Sequence, residues 1–260
     1  NGNAVIEVVN GGRFYHPNAR CTLGFANDGP GTGALLGNEA EIDFGAQDLF
    51  LGYRNQSRST LALTNSTLTC KTITFSMDKS SAPGPQIVEF VGTEVDVECF
   101  AVNKLGTGSS LTFDGATLVS PHSSPLPALG IPYTLAAGGL TVKVPDAAEN
   151  AAALELGGAF TGTGDLRLVH EGDAAAKAVS FNGTANTLTG NLVVAGVALT
   201  AIEKTLSCGL VARSGTTLDV SSSVFGGGAT IEEGVTFAGL EPEVDYERPM
   251  TLVKARGQIV

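Results

Sequence analysis

The chain has 260 residues, 43% of them apolar, 6% aromatic with no Trp, 34 glycines and a net charge of −11. An acidic chain repels phosphate backbones and anionic lipid, which argues against nucleic acid and anionic membranes as partners. No apolar run approaches the ~18 residues of a membrane helix, and the mild hydrophobicity with few charges argues against disorder.

In chain order, "NGNAVIEVVNGGRFYHPN" (1–18) reads as an N-terminal cap or first coil. It lacks the basic start and apolar core of a signal peptide. Next comes a repeated frame: two apolar residues two apart, a turn, then a second such pair starting seven residues after the first. Ile42 and Phe44 lead to Leu49 and Leu51, Leu61 and Leu63 to Leu68 and Cys70, and Val88 and Phe90 to Val95 and Val97. Leu111 and Phe113 lead to Leu118 and Ser120. Alternation of period two buries one face of each strand. Asn, Asp and Gly between the pairs supply turns, because they tolerate positive φ or bond the backbone locally. The copies start 19, 27 and 23 residues apart (42, 61, 88, 111), with "SMDKSSAPGP" (76–85) read as an outward loop. Repeats of ~20–27 residues have the size of one coil of a β-solenoid.

The stretch 119–159 departs from the frame. "SPHSSPLPALGIP" is too rich in proline for a central strand. "YTLAAGGLTVKV" returns to alternation, and "DAAENAAALELGG" has the alanine content of about two helical turns. This stretch is predicted to be an insertion or junction, with coils resuming over 160–260. "FGGGAT" (225–230) is a turn, since no lysine follows it.

The predicted fold is all-β: a right-handed parallel β-helix, interrupted near 119–159. The competing reading is an antiparallel β-sandwich, which also alternates strands and turns. The constant seven-residue step favours the solenoid.

Residues 162–199 carry a resemblance. Gly162 and Gly164 precede Leu166 and Leu168, and Gly172 follows. Gly183, Asn186, Thr187 and Gly190 form a turn motif, and Val194, Gly196 and Leu199 a closing strand. This pattern resembles the autotransporter-associated β-strand repeat of bacterial passenger domains. Leu188 stands where that family usually has an aromatic residue, and "DAAAKAVSF" (173–181) is a longer spacer than usual. "MTLVKARGQIV" (250–260) resembles a segment that often closes such passengers. The resemblance implies an exported bacterial surface protein, secreted or at the outer membrane: a stalk, an adhesin or a passenger segment without enzymatic activity. Its implied partners are glycans or proteins of a host or cell surface. It also implies a parent chain that continues beyond Val260, often into a membrane barrel, which nothing here resembles.

Chemistry-bearing motifs are sparse. There is no Gly-x-Ser-x-Gly, His-Glu-x-x-His or phosphate-binding loop. His16, His122 and His170 sit in turns or at strand ends and read as loop or edge residues. Many β-helix proteins cleave polysaccharides with carboxylates on an outer face, as acid and base or as Ca²⁺ ligands. Glu94, Asp96 and Glu98 alternate along one strand and form the candidate row, predicted outward at ~6.5–7 Å spacing. A polysaccharide lyase or glycoside hydrolase is therefore the alternative function, and a β-sandwich binding module a third. The bland reading of the row is a solvated face, and it is preferred. Glu232, Glu233, Glu241, Glu243 and Asp245 are looser acidic runs. The sequons at Asn55, Asn65 and Asn182 matter only in a eukaryotic secretory host. No cofactor is expected.

Cys21, Cys70, Cys99 and Cys208 have no CxxC or His-pair context, so a zinc site is not expected. Aligning Leu61 with Val88 places Cys70 over Val97 and Cys99 over Thr72. Their Cα atoms are then roughly 8 Å apart, beyond disulfide reach. Two separate inward thiols are predicted.

Overall fold

The structure is a computed structural model. It describes residues 3–25, 30–54, 56–79, 83–119, 121–147, 152–172, 174–183, 187–201, 205–219 and 223–238. Within them the chain winds as a parallel β-helix in which every named strand pairs in parallel with the strand one coil away.

Three faces recur. The first face is an 8-stranded sheet running from Asn3–Val9 through Thr32–Asn38, Arg58–Thr64, Gln86–Val91 and Ser110–Asp114 to Thr187–Leu188. The second face belongs to a 12-stranded sheet from Arg13–Tyr15 to Ala229–Ile231. In the N-terminal half, the long strands Thr67–Phe75 and Glu94–Val102 bend into the third face, where Leu49–Leu51 pairs with Ile73 to Phe75. In the C-terminal half, the third face is a separate 5-stranded sheet beginning at Leu154–Leu156.

The predicted register holds where the repeat is regular. Leu61 pairs with Val88 and Leu63 with Phe90, and Leu68 lies on Val95. Val88 and Phe90 stack in turn on Leu111 and Phe113. The first copy is a correction. Ile42 pairs with Leu68, and the residue under Leu61 is Leu35. Leu35, Ile42 and Leu49 are themselves seven apart, so the frame fits equally well one face too late. Gly37 hides the true copy, because it occupies the place of Leu63, Phe90 and Phe113. A Cβ on Gly37 would lie 2.7 Å from Leu63 Cδ2.

Inward positions stack in columns. Leu35, Leu61, Val88, Leu111, Tyr133 and Phe160 form one, each 0% exposed. An aromatic ladder crosses the middle coils: Phe90–Phe113, Phe113–Tyr133, Tyr133–Phe160 and Phe160–Phe181 have ring centroids 5.7, 6.4, 5.3 and 5.7 Å apart. Each buried ring or leucine contributes ~1.5–3 kcal/mol, and only because neighbouring coils cover it.

The corners between first and second faces use left-handed backbone. Asn65 (φ 46°), Gly92 (54°) and Gly115 (69°) occupy one turn position in successive coils, as the turn chemistry predicts, and Glu39 (52°) holds it in an earlier coil. Farther along, coils approach too closely for side chains. A Cβ on Gly164 would lie 1.8 Å from Ala136 O, and one on Gly190 2.2 Å from Gly164 O. Gly164 stands at the start of the 162–199 motif and Gly190 in its turn.

The stretch 119–159 does not interrupt the stack. Tyr133–Leu135 and Leu140–Lys143 are rungs of the first and second faces. On the third face Phe100 N donates to Pro125 O, and Leu126 bridges Leu156. The proline-rich segment is thus a narrowed rung, reduced to an isolated bridge because proline supplies no N–H. Leu154–Leu156 is a strand, not the expected helical turn, and residues 148–151 lie outside the described residues. Toward the C-terminus the coils shorten: Leu168 to Val194 is 26 residues, Val194 to Ala212 is 18 and Ala212 to Ile231 is 19. Residues 250–260 and Asn186 of the motif lie outside the described residues.

Candidate functional site

The acidic row divides at a corner. Glu94 and Asp96 point outward, alternating with the buried Val95 and Val97. Glu94 is flanked in the sheet by Thr67 and Thr117, and Asp96 lies beside Thr69. After Val97 the alternation changes phase: Glu98 and Cys99 are both half-buried and Phe100 is buried. The strand bends there from the second face to the third. Glu98 therefore leaves the row and faces His122, whose Nδ1 is 3.6 Å from its carboxylate and whose N–H donates to Glu98 O (3.0 Å). The same bend turns Cys99 away from the core, against the expectation of an inward thiol.

Glu94 also borders a shallow hollow of about 540 Å³ lined by Glu39, Glu41, Asn65, Ser66 and Thr67. Glu41 is paired with Arg13. One strand over, Thr67 separates Glu41 from Glu94. Acids on neighbouring strands of this face are thus separated by threonines, and Glu41 is paired with a cation. Among the described residues, no group of three or more His, Cys, Asp or Glu is placed to hold a metal ion. Glu232 pairs with Arg213, and Glu241, Glu243 and Asp245 lie outside the described residues.

The histidines differ. His16 and His122 are exposed on loops. His170, expected as an edge residue, has a side chain only 7% exposed, and a backbone carbonyl lies within hydrogen-bond distance of each ring nitrogen.

The four cysteines are free. Val97 pairs with Cys70 and Cys99 with Thr72, which is the register that predicted no crosslink. Cys70 and Cys208 are buried, while Cys21 and Cys99 are half-buried. Burial pushes all four thiols up, furthest at Cys70. They are poor nucleophiles at neutral pH.

One surface cluster has no counterpart in the sequence reading. Phe25, 56% exposed, stacks on Tyr53 with centroids 4.4 Å apart and planes 5° from parallel. The Arg54 guanidinium lies 4.7 Å from the Tyr53 centroid and pairs with Asp78. Phe25 and Tyr53 meet only because neighbouring coils stack, so no local spacing announces them.

No known protein family, curated protein or solved structure matches the chain.

Proposed function

We propose that the protein is a non-enzymatic, exported β-helical segment of a bacterial surface: a stalk, adhesin or autotransporter passenger piece. The carrying observation is the in-register stacking of the motif that bears the family resemblance. Leu166 and Leu168 lie on Leu192 and Val194 in a 26-residue coil, and the motif's Gly162, Gly164, Gly183 and Gly190 sit where backbones meet. Such a sequence serves stacking, and its outward residues carry charges that are separated or paired. Surface glycans or proteins are the proposed partners. The Phe25–Tyr53–Arg54 cluster is the proposed contact patch, because a flat aromatic face beside a guanidinium suits a sugar ring or a peptide side chain.

The test is twofold. Uronic-acid and neutral polysaccharides are incubated with the protein, with and without Ca²⁺, and cleavage is followed. No turnover is expected. Turnover abolished by Glu94→Gln or Asp96→Asn would replace this reading with the polysaccharide-cleaving one. In parallel, binding to mucin and intact cells is measured for the protein and for Phe25→Ala, with weaker binding expected for the variant.

A further inference from the structure

We propose that His170 is a pH-dependent latch joining the outward loops of two adjacent coils, closed while its imidazole carries both protons. The segments are 144–147 and, on either side of Asp173, 170–172 and 174–177. His170 Nδ1 lies 2.9 Å from Val144 O, and Nε2 lies 2.8 Å from Ala174 O. A carbonyl oxygen only accepts, whereas a neutral imidazole has one N–H and one lone pair. Both contacts are hydrogen bonds only in the imidazolium. In the neutral ring one nitrogen lone pair faces a carbonyl lone pair at bonding distance, inside a side chain just 7% exposed.

The surroundings fit a cation. Asp146 Oδ1 is 3.6 Å from Nε2. Glu171, next in the chain, is paired with Lys143 at 3.5 Å. The coil above contributes Ala195, whose carbonyl accepts His170 N, and Gly196, which has no side chain. Asp173 lies outside the described residues. The hydrogen bond to Val144, then that to Ala174 and the Asp146 charge, raise the His170 pKa above its ordinary value, against the lowering effect of burial.

What the latch holds is a short antiparallel contact unlike the parallel stack. Asp146 bridges Ala176, Ala147 N donates to Ala175 O (2.8 Å), and Lys177 N donates to Pro145 O (2.9 Å). Pro145 and Lys177 form one wall of a hollow of about 500 Å³, faced by Pro121, His122 and Ser123. Opening the latch frees that wall. With the folded pKa raised, the latch's stabilisation is fully present below the unfolded-state pKa of about 6.5 and is lost as pH rises through the folded value.

The test uses the whole 260-residue chain. The His170 ring signals, assigned with His170→Gln, are titrated by NMR in the folded protein and in urea. Amide exchange of Ala147 and Lys177 is followed across the same pH range, corrected for intrinsic base catalysis. Leu140, which bonds Asp165 O within the stack, is the control. The expected result is a higher midpoint folded than in urea, with protection of Ala147 and Lys177 falling above that midpoint while Leu140 stays protected. His170→Gln should lose that protection at every pH. Asp146→Asn should keep the latch and lower the midpoint. Equal midpoints in folded and unfolded protein would overturn the proposal. So would protection at Ala147 and Lys177 that is indifferent both to pH and to His170→Gln.

Discussion

Gln86→Met tests whether the corner that leads into Gln86–Val91 is held by buried polar bonds. Gln86 is 0% exposed. Its Nε2 donates to Leu51 O (2.6 Å), and its Oε1 accepts from Gly106 N (3.1 Å) and Ser109 Oγ (3.1 Å). Methionine nearly conserves the volume, so little of the change comes from a cavity. Leu51 O keeps a second donor, Ser76 N, so it loses only a net bond of ~0.5–1.5 kcal/mol. Gly106 N–H is buried and is left without its acceptor, which costs ~1–3 kcal/mol. The expected loss is therefore ~1.5–4.5 kcal/mol. Ser59→Ala, which removes a single bond to Leu23 O, should cost only ~1 kcal/mol. Urea unfolding followed by far-UV circular dichroism reads both as a lower midpoint at unchanged slope. A Gln86→Met protein within ~0.5 kcal/mol of the parent would mean that burial of this amide does not depend on its partners, and the reasoning fails.

Glu39→Gly should stabilise by ~0.5–1 kcal/mol in the same assay, because Glu39 is exposed at φ 52°. Gly164→Ala should cost more than ~3 kcal/mol or prevent folding, since its Cβ would lie 1.8 Å from Ala136 O; a fully stable variant would refute the close approach of these coils. Native Cys70 should resist thiol-directed reagents at neutral pH, and unfolding without reductant should expose four thiols. A Cys70–Cys99 linked peptide in mass spectrometry would refute the register. Tyr133→Phe should lose ~1 kcal/mol, because its buried hydroxyl donates to Pro127 O.

Alternation by itself determined which residues face the core wherever a strand is straight. Leu61, Leu63, Val88, Phe90, Leu111 and Phe113 point inward because period two allows nothing else once one face is buried. It also determined the offset of 27 that keeps Cys70 and Cys99 apart. At corners alternation ends. The phase changes between Val97 and Phe100, so Glu98 and Cys99 do not follow the strand's rule. Which coil a repeat belongs to was undecidable around Ile42, because three pairs stand seven residues apart and Gly37 removes the side chain that would break the tie. The stretch 119–159 looked irregular because proline and alanine carry little strand signal, yet a rung flanked by formed coils needs only a few backbone bonds to continue the ladder. Ser59 and the His170 ring meet backbone carbonyls, Gln86 meets a carbonyl, an amide and the Ser109 hydroxyl, and the partner of Phe25 lies a coil away. Every residue type offers such a carbonyl, so only the stacking of distant segments decides which one a buried side chain meets.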